Sequence, residues 1–174
     1  MRRSSLRFLV VLLSAALVIT IYVAWMRWRH PGGDLSNNFF YVLPIIVPFV
    51  AFVFDRLEQR RAASVIELLI DCVVVGTAMM RVIGDVPFVS GHALFLTYAI
   101  ARPGSWLTKV TAGLVMMQVI YLKFFVWHDL ITPSTGITLG LLAGWLVRRI
   151  RTRTVSVSEP EAVATGSRET IGIN

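Results

Sequence analysis

Charge is scarce in this 174-residue sequence: Asp, Glu, Lys and Arg make up 16% of it, against 56% hydrophobic residues, and mean hydropathy is +0.70. So few charges exclude an ordinary soluble domain, in which roughly a quarter of residues are charged. Cysteine is nearly absent. Cys72 stands alone, which excludes an intrachain disulfide, and its place inside an apolar run predicts a small buried residue. There are three histidines, and no His or Cys pair has the i, i+3 or i, i+4 spacing that holds a metal on one helix face. Neither metal nor cofactor is expected. No internal repeat occurs, and the matched halves with broken helices found in many transporters are missing.

Acidic residues are the minority charge, 10 against 17 basic, for a net +7. Such an excess can signal nucleic acid, but here the basic residues form short clusters beside apolar runs. Orientation in a bilayer and contact with anionic headgroups explain that pattern better. Membrane lipids are the expected partners and nucleic acid is not; nothing in the sequence sets an oligomeric state.

What the sequence has in abundance is long apolar runs. A helix needs about 20 apolar residues to cross a hydrocarbon core of roughly 30 Å. Phe8–Met26, Leu35–Phe54 and Leu130–Val147 meet that length without a charge; Ala62–Met80 carries Glu67 and Asp71, and Leu107–Trp127 carries Lys109 and Lys123. Val86–Ala101 is the shortest run and holds His92. The prediction is an all-α fold, a polytopic membrane helix bundle of about six transmembrane helices over residues 1–151. The Ser-, Thr- and Glu-rich stretch 152–174 has no helical period and predicts a disordered cytoplasmic tail. Arg2, Arg3 and Arg7 precede the first run as in a signal peptide. However, the run outlasts an h-region and meets Trp25 and Arg27 without a small-residue cleavage site, so an uncleaved helix is expected.

With six spans, thirteen of the 17 basic residues fall on one side, repeated loop by loop; Arg27, Arg29, Arg81 and Lys123 are the other four. That asymmetry predicts cytoplasmic termini and suits a bacterial inner (cytoplasmic) membrane.

Ionisable groups inside spans are costly and need partners. Glu67, Asp71, Ala78 and Arg81 lie on one helical face, at offsets of four, eleven and fourteen residues. That stripe is expected to face protein or water, as an interhelical salt-bridge or hydrogen-bond network, as a proton or metal path, or as support for an outer site.

The outer face gathers Asp85-Val86-Pro87-Phe88-Val89-Ser90-Gly91-His92 between the third and fourth spans, and Lys123, His128, Asp129 and Thr132 between the fifth and sixth. His30 sits in a Trp-Arg-His-Pro-Gly-Gly turn and reads as a loop residue. Ser90-Gly91 at a helix start offers a hydroxyl and backbone N–H groups to an anion. His92 is then suited to protonate a leaving oxygen and His128 to attack phosphorus, with Lys123 and Arg81 offsetting phosphoryl charge.

Pro87-Phe88-Val89-Ser90-Gly91-His92-Ala93 resembles the central PSGH motif of the PAP2 (type 2 phosphatidic acid phosphatase) superfamily, with Val89 where proline is usual. The family's third motif places an arginine six residues before a histidine, an aspartate four after it and glycines at further steps of four. Counted from His128, those positions are Leu122, Thr132, Gly136 and Gly140; Lys123 is one residue out of register. The first motif, a lysine followed after six residues by Arg-Pro, has no counterpart. The resemblance covers about Arg81 to Gly144. It implies a metal-independent membrane phosphatase acting on a lipid phosphate or diphosphate at the outer leaflet through a phosphohistidine. In it His92 and His128 are catalytic, Ser90, Gly91, Lys123 and Arg81 bind phosphate, and Thr132 or Asp129 orients His128. Because threonine cannot stabilise an imidazolium by charge, the alternative is a catalytically inactive relative that binds lipid headgroups or a membrane partner.

Overall fold

The computed structural model describes residues 2–29, 31–32, 42–59, 64–83 and 88–166, with side chains for 5–29, 31–32, 42–59, 64–80 and 88–153. Among the described residues, six α-helices and one π-helical turn make up the regular structure and no strand occurs. In chain order they are α1 (Arg2–Arg29), α2 (Leu43–Gln59), α3 (Val65–Ile83), α4 (Gly91–Ala101), α5 (Trp106–Tyr121), the π turn Leu122–Val126, and α6 (Ile131–Gly166). One helix falls in each of the six apolar runs.

The helix ends follow from local sequence. Ser90 caps α4, its hydroxyl accepting from the Ala93 N–H, and Ser105 caps α5 by accepting from Thr108 N–H. Such caps satisfy donors that a helix start leaves without partners. Pro103 and Gly104 separate α4 from α5, because proline bars helical geometry at the residue before it. Pro133 is tolerated in the first turn of α6, where no intrahelical N–H bond is lost.

Short α4 is the hub, packed against α6, α5, α3 and α2 and buried almost throughout from Ala93 to Ala99. Its neighbours approach so closely because glycine meets it on two sides. A Cβ on Gly136 would stand 2.7 Å from Ser90 O, one on Gly140 2.6 Å from Leu94 O, and one on Gly144 2.5 Å from the Ala101 Cβ. The two glycines at steps of four after His128 thus belong to a longer small-residue stripe that seats α6 directly on the α4 backbone. Gly91 does the same for α3: a Cβ there would lie 2.4 Å from Ala78 O. Phe52, Phe95 and Tyr98 fill the centre, with ring centroids 5.5–6.1 Å apart. A second core of Val11, Ala15, Ile46 and Val50 joins α1 to α2.

The exterior is apolar as well. Leu13 (62% exposed) and Leu17 on α1, Val73 on α3, Met117 (72%) on α5 and Leu142 on α6 all face outward. A surface of this kind exceeds the apolar patches that soluble monomers expose. Two segments, Ser5–Arg29 (25 residues) and Trp106–Val126 (21 residues), are long and apolar enough on their own to cross a membrane. Helix α4, at 11 residues, is only about 16 Å long, less than one hydrocarbon thickness.

One local expectation meets a different outcome. Cys72 is exposed rather than buried, because Glu67 and Asp71 claim the inner face of α3 and Cys72, one position on, is turned about 100° away. Helix α6 runs as backbone to Gly166.

Candidate functional site

The junction that follows α5 is built from the end of α5, the connection to α6 and the start of α4. At Leu122 the α-helix widens into a π turn, closed by Trp127 N–H donating to Leu122 O at 3.0 Å. Such turns occur mostly as single features in helices and often at sites of function. His128 follows with φ +51°, a left-handed conformation uncommon outside glycine but favoured by His, Asn and Asp. That reversal folds the chain back, so Asp129 N–H donates to Lys123 O at 2.8 Å.

The fold-back closes a small polar network. Lys123 Nζ lies 3.0 Å from Asp129 Oδ2 and 5.0 Å from the Trp127 ring centre. Thr132 Oγ1 donates to Asp129 Oδ2 at 2.5 Å, and Thr132 N–H donates to Oδ1 at 3.2 Å. Thr132 O accepts from Ser90 N–H at 2.9 Å, which ties this connection to the start of α4. Burial pushes the Asp129 carboxyl upward, but the bonds from Thr132 and Lys123 outweigh it and hold the group down at about 2. It is ionised at neutral pH and neutralises Lys123.

The structure therefore brings Ser90, Lys123, Asp129 and Thr132 together. Lys123 is buried and faces a carboxylate, where phosphate binding needs an uncompensated cation. Asp129 and Thr132, expected to orient His128, hold each other instead, and among the described residues neither hydrogen-bonds to its imidazole. The side chain of Arg81, in the last turn of α3, lies outside the described residues, as do His30, Asp85 and Pro87.

Of the two histidines, His92 lines a cavity and His128 does not. His128 is exposed on the turn into α6. His92 lies between Ser90 and the Ala93–Leu94 pair, the residues that Gly136 of α6 meets, and is not itself among those contacts. It lines a cavity of about 270 Å³ enclosed by α1, α2, α3 and α4. Val18, Ile46, Phe49, Met79 and Phe95 contribute its walls, and His92 and Tyr22 are the lining side chains with a polar group. Its residues come from the C-terminal ends of α1 and α3 and the N-terminal ends of α2 and α4, placing it at the same end of the bundle as the Lys123 junction. Among the described residues no group of three His, Cys, Asp or Glu is placed to hold a metal.

Sequence reading pointed to His92 but missed this cavity, because its walls come from four helices and none of their apolar side chains is distinctive alone. Comparison with known proteins finds no matching family model, no matching curated protein and no matching solved structure.

Proposed function

We propose that this chain is a six-span integral membrane protein with cytoplasmic termini. In it the PAP2-like outer site no longer hydrolyses phosphate but holds an outer-leaflet lipid, with one hydrocarbon tail between α1, α2, α3 and α4. Six helices in six apolar runs, an apolar exterior and the loop-by-loop charge asymmetry support the topology.

The observation that carries the binding role is the cavity. It is almost wholly apolar and large enough for several methylene groups, whose burial contributes about 0.8 kcal/mol each. His92 and Tyr22 are the groups there able to meet a polar headgroup. Loss of hydrolysis is supported by the Lys123–Asp129 pair and by His128 standing outside the cavity that His92 lines.

The test is lipid retention. Protein purified in mild detergent is expected to carry bound lipid in native mass spectrometry, and Val75→Phe, which fills the cavity, is expected to lose it. Equal retention in the variant defeats the binding role.

A second reading, the metal-independent lipid phosphatase, is favoured by one contact: the Ser90 N–H to Thr132 O bond, which docks the start of α4 against the connection that carries His128. Turnover of a lipid phosphate by the purified protein, abolished by His92→Ala and by His128→Ala, would establish it and displace the non-hydrolytic reading.

A further inference from the structure

The opposite end of the bundle contains a cluster that orientation by charge does not explain. Glu67 and Asp71 of α3 are 2% and 7% exposed. Arg151 of α6 grips Glu67 through Nε, 3.1 Å from both carboxylate oxygens, and its Nη2 donates to Gln59 Oε1 at 2.7 Å. Arg56 of α2 pairs with Asp71 and approaches Glu67 to 3.5 Å. Arg102, just past α4, lies 3.7 Å from Asp71 and has its guanidinium 4.8 Å from the Phe52 ring centre. Tyr98 O–H donates to Asp71. Three guanidinium groups thus face two carboxylates.

Hydrogen bonding in the cluster is incomplete. Both terminal nitrogens of Arg56, the Nε of Arg102 and one acceptor, Asp71 Oδ2, are buried without a hydrogen bond among the described residues, and the carboxylate oxygens paired with Arg56 Nη1 and Arg102 Nε stand 3.5 and 3.7 Å away. The Arg102 side chain is 2% exposed and that of Arg56 11%. A guanidinium cannot relieve such burial by losing its proton, so uncompensated donors in this setting favour an anion that brings several oxygens. Access runs along the Arg151 edge: its side chain is 26% exposed, and exposed Arg148 sits one turn earlier on the same side of α6.

We propose that Arg56, Arg102 and Arg151 form a binding site for a phosphate group at the end of the bundle that charge asymmetry assigns to the cytoplasm. Planar guanidinium forks match phosphate oxygens in pairs, and basic pockets between helices on the cytoplasmic side are suited to anionic headgroups. The phosphate belongs either to a cytoplasmic-leaflet lipid or to a soluble phosphate. The inference does not rest on the outer cavity.

The experiment is thermal unfolding of the full chain in detergent, followed by tryptophan fluorescence. Sodium phosphate is compared with sodium chloride at equal ionic strength, and micelles doped with phosphatidylglycerol with micelles doped with phosphatidylcholine, whose phosphate carries its own cation. The wild type is expected to gain roughly 3 °C from the favoured anion. A gain from both phosphate and phosphatidylglycerol identifies the phosphate group itself as the ligand; a gain from phosphatidylglycerol alone identifies the lipid.

Arg56→Gln leaves two arginines against two carboxylates and is expected to fold and lose the response. Glu67→Gln raises the net charge of the cluster and is expected to enlarge it. If Arg56→Gln does not fold, the Glu67→Gln response decides alone. No gain over the controls, or variants that respond like the wild type, overturns the proposal.

Discussion

The two ends of this bundle handle buried charge in opposite ways. At the end carrying the termini, Arg56, Arg102 and Arg151 close on Glu67 and Asp71, joining α2, α3, α6 and the residue that caps α4 across long stretches of sequence. A neighbouring pair continues the pattern: Asp55 of α2 binds Arg7 of α1 and accepts from the hydroxyls of Ser105 and Thr108 on α5. At the other end an ion pair, Lys123 with Asp129, spans six residues of one connection, and that end also holds an apolar cavity between α1, α2, α3 and α4. One end is a clamp between helices; the other has a local latch and a slot. Ligand exchange is cheaper where few long-range contacts must break.

The sharpest break of this contrast is at the clamp. Asp71→Leu leaves Arg56 and Arg102 facing each other without their shared carboxylate and is expected to cost about 3–5 kcal/mol, read as a large fall in the detergent unfolding midpoint. A loss of under about 1 kcal/mol would mean that the network is not what joins the helices.

Next is the α4–α6 seam. Gly140→Ala places a methyl 2.6 Å from Leu94 O and 2.9 Å from Tyr98 N, backbone atoms that cannot swing aside, and is expected to cost about 1–3 kcal/mol. Gly113, with open space around its Cβ position, is the control; substitution to alanine there is expected to be neutral or slightly stabilising.

At the slot, Val75→Phe is expected to reduce lipid occupancy about tenfold, equivalent to about 1.4 kcal/mol of binding, while moving the midpoint little. Equal losses of lipid and stability would mean that the cavity is a packing element.

The smallest effect belongs to the latch. Asp129→Asn is expected to cost about 0.5–1 kcal/mol. The Asp129 carboxyl is depressed from 3.8 to about 2, so its contribution is complete above pH 3.8 and fades as pH falls toward 2. Wild type and Asp129→Asn curves are therefore expected to converge in that window and to stay apart at neutral pH.

Much of the architecture was legible in the residues. Apolar runs located all six helices because hydrophobic length is a property of contiguous sequence. The stripe of Glu67 and Asp71 announced a protein-facing side of α3 by helical period alone. The partners of that stripe were not legible: Arg56, Arg102 and Arg151 read as loop charges that orient the chain, since nothing local shows that a residue near a span end folds inward. Gly136 and Gly140 were matched to a motif by spacing, whereas their packing reason, contact with the α4 backbone, appears only once α4 and α6 are adjacent. Asp129 was expected to orient His128; the left-handed backbone at His128 folds the chain back so that Asp129 meets Lys123 and Thr132.

By itself the sequence determined the helical class, the apolar exterior and the uneven distribution of basic residues, because each depends on composition and on neighbours along the chain. Tertiary structure decided which charges pair, which face His92 takes and where a cavity opens, because each depends on side chains brought together from different helices. Such long-range contacts arise from how helices pack, and the glycines of α6 set that packing around a hub only three turns long.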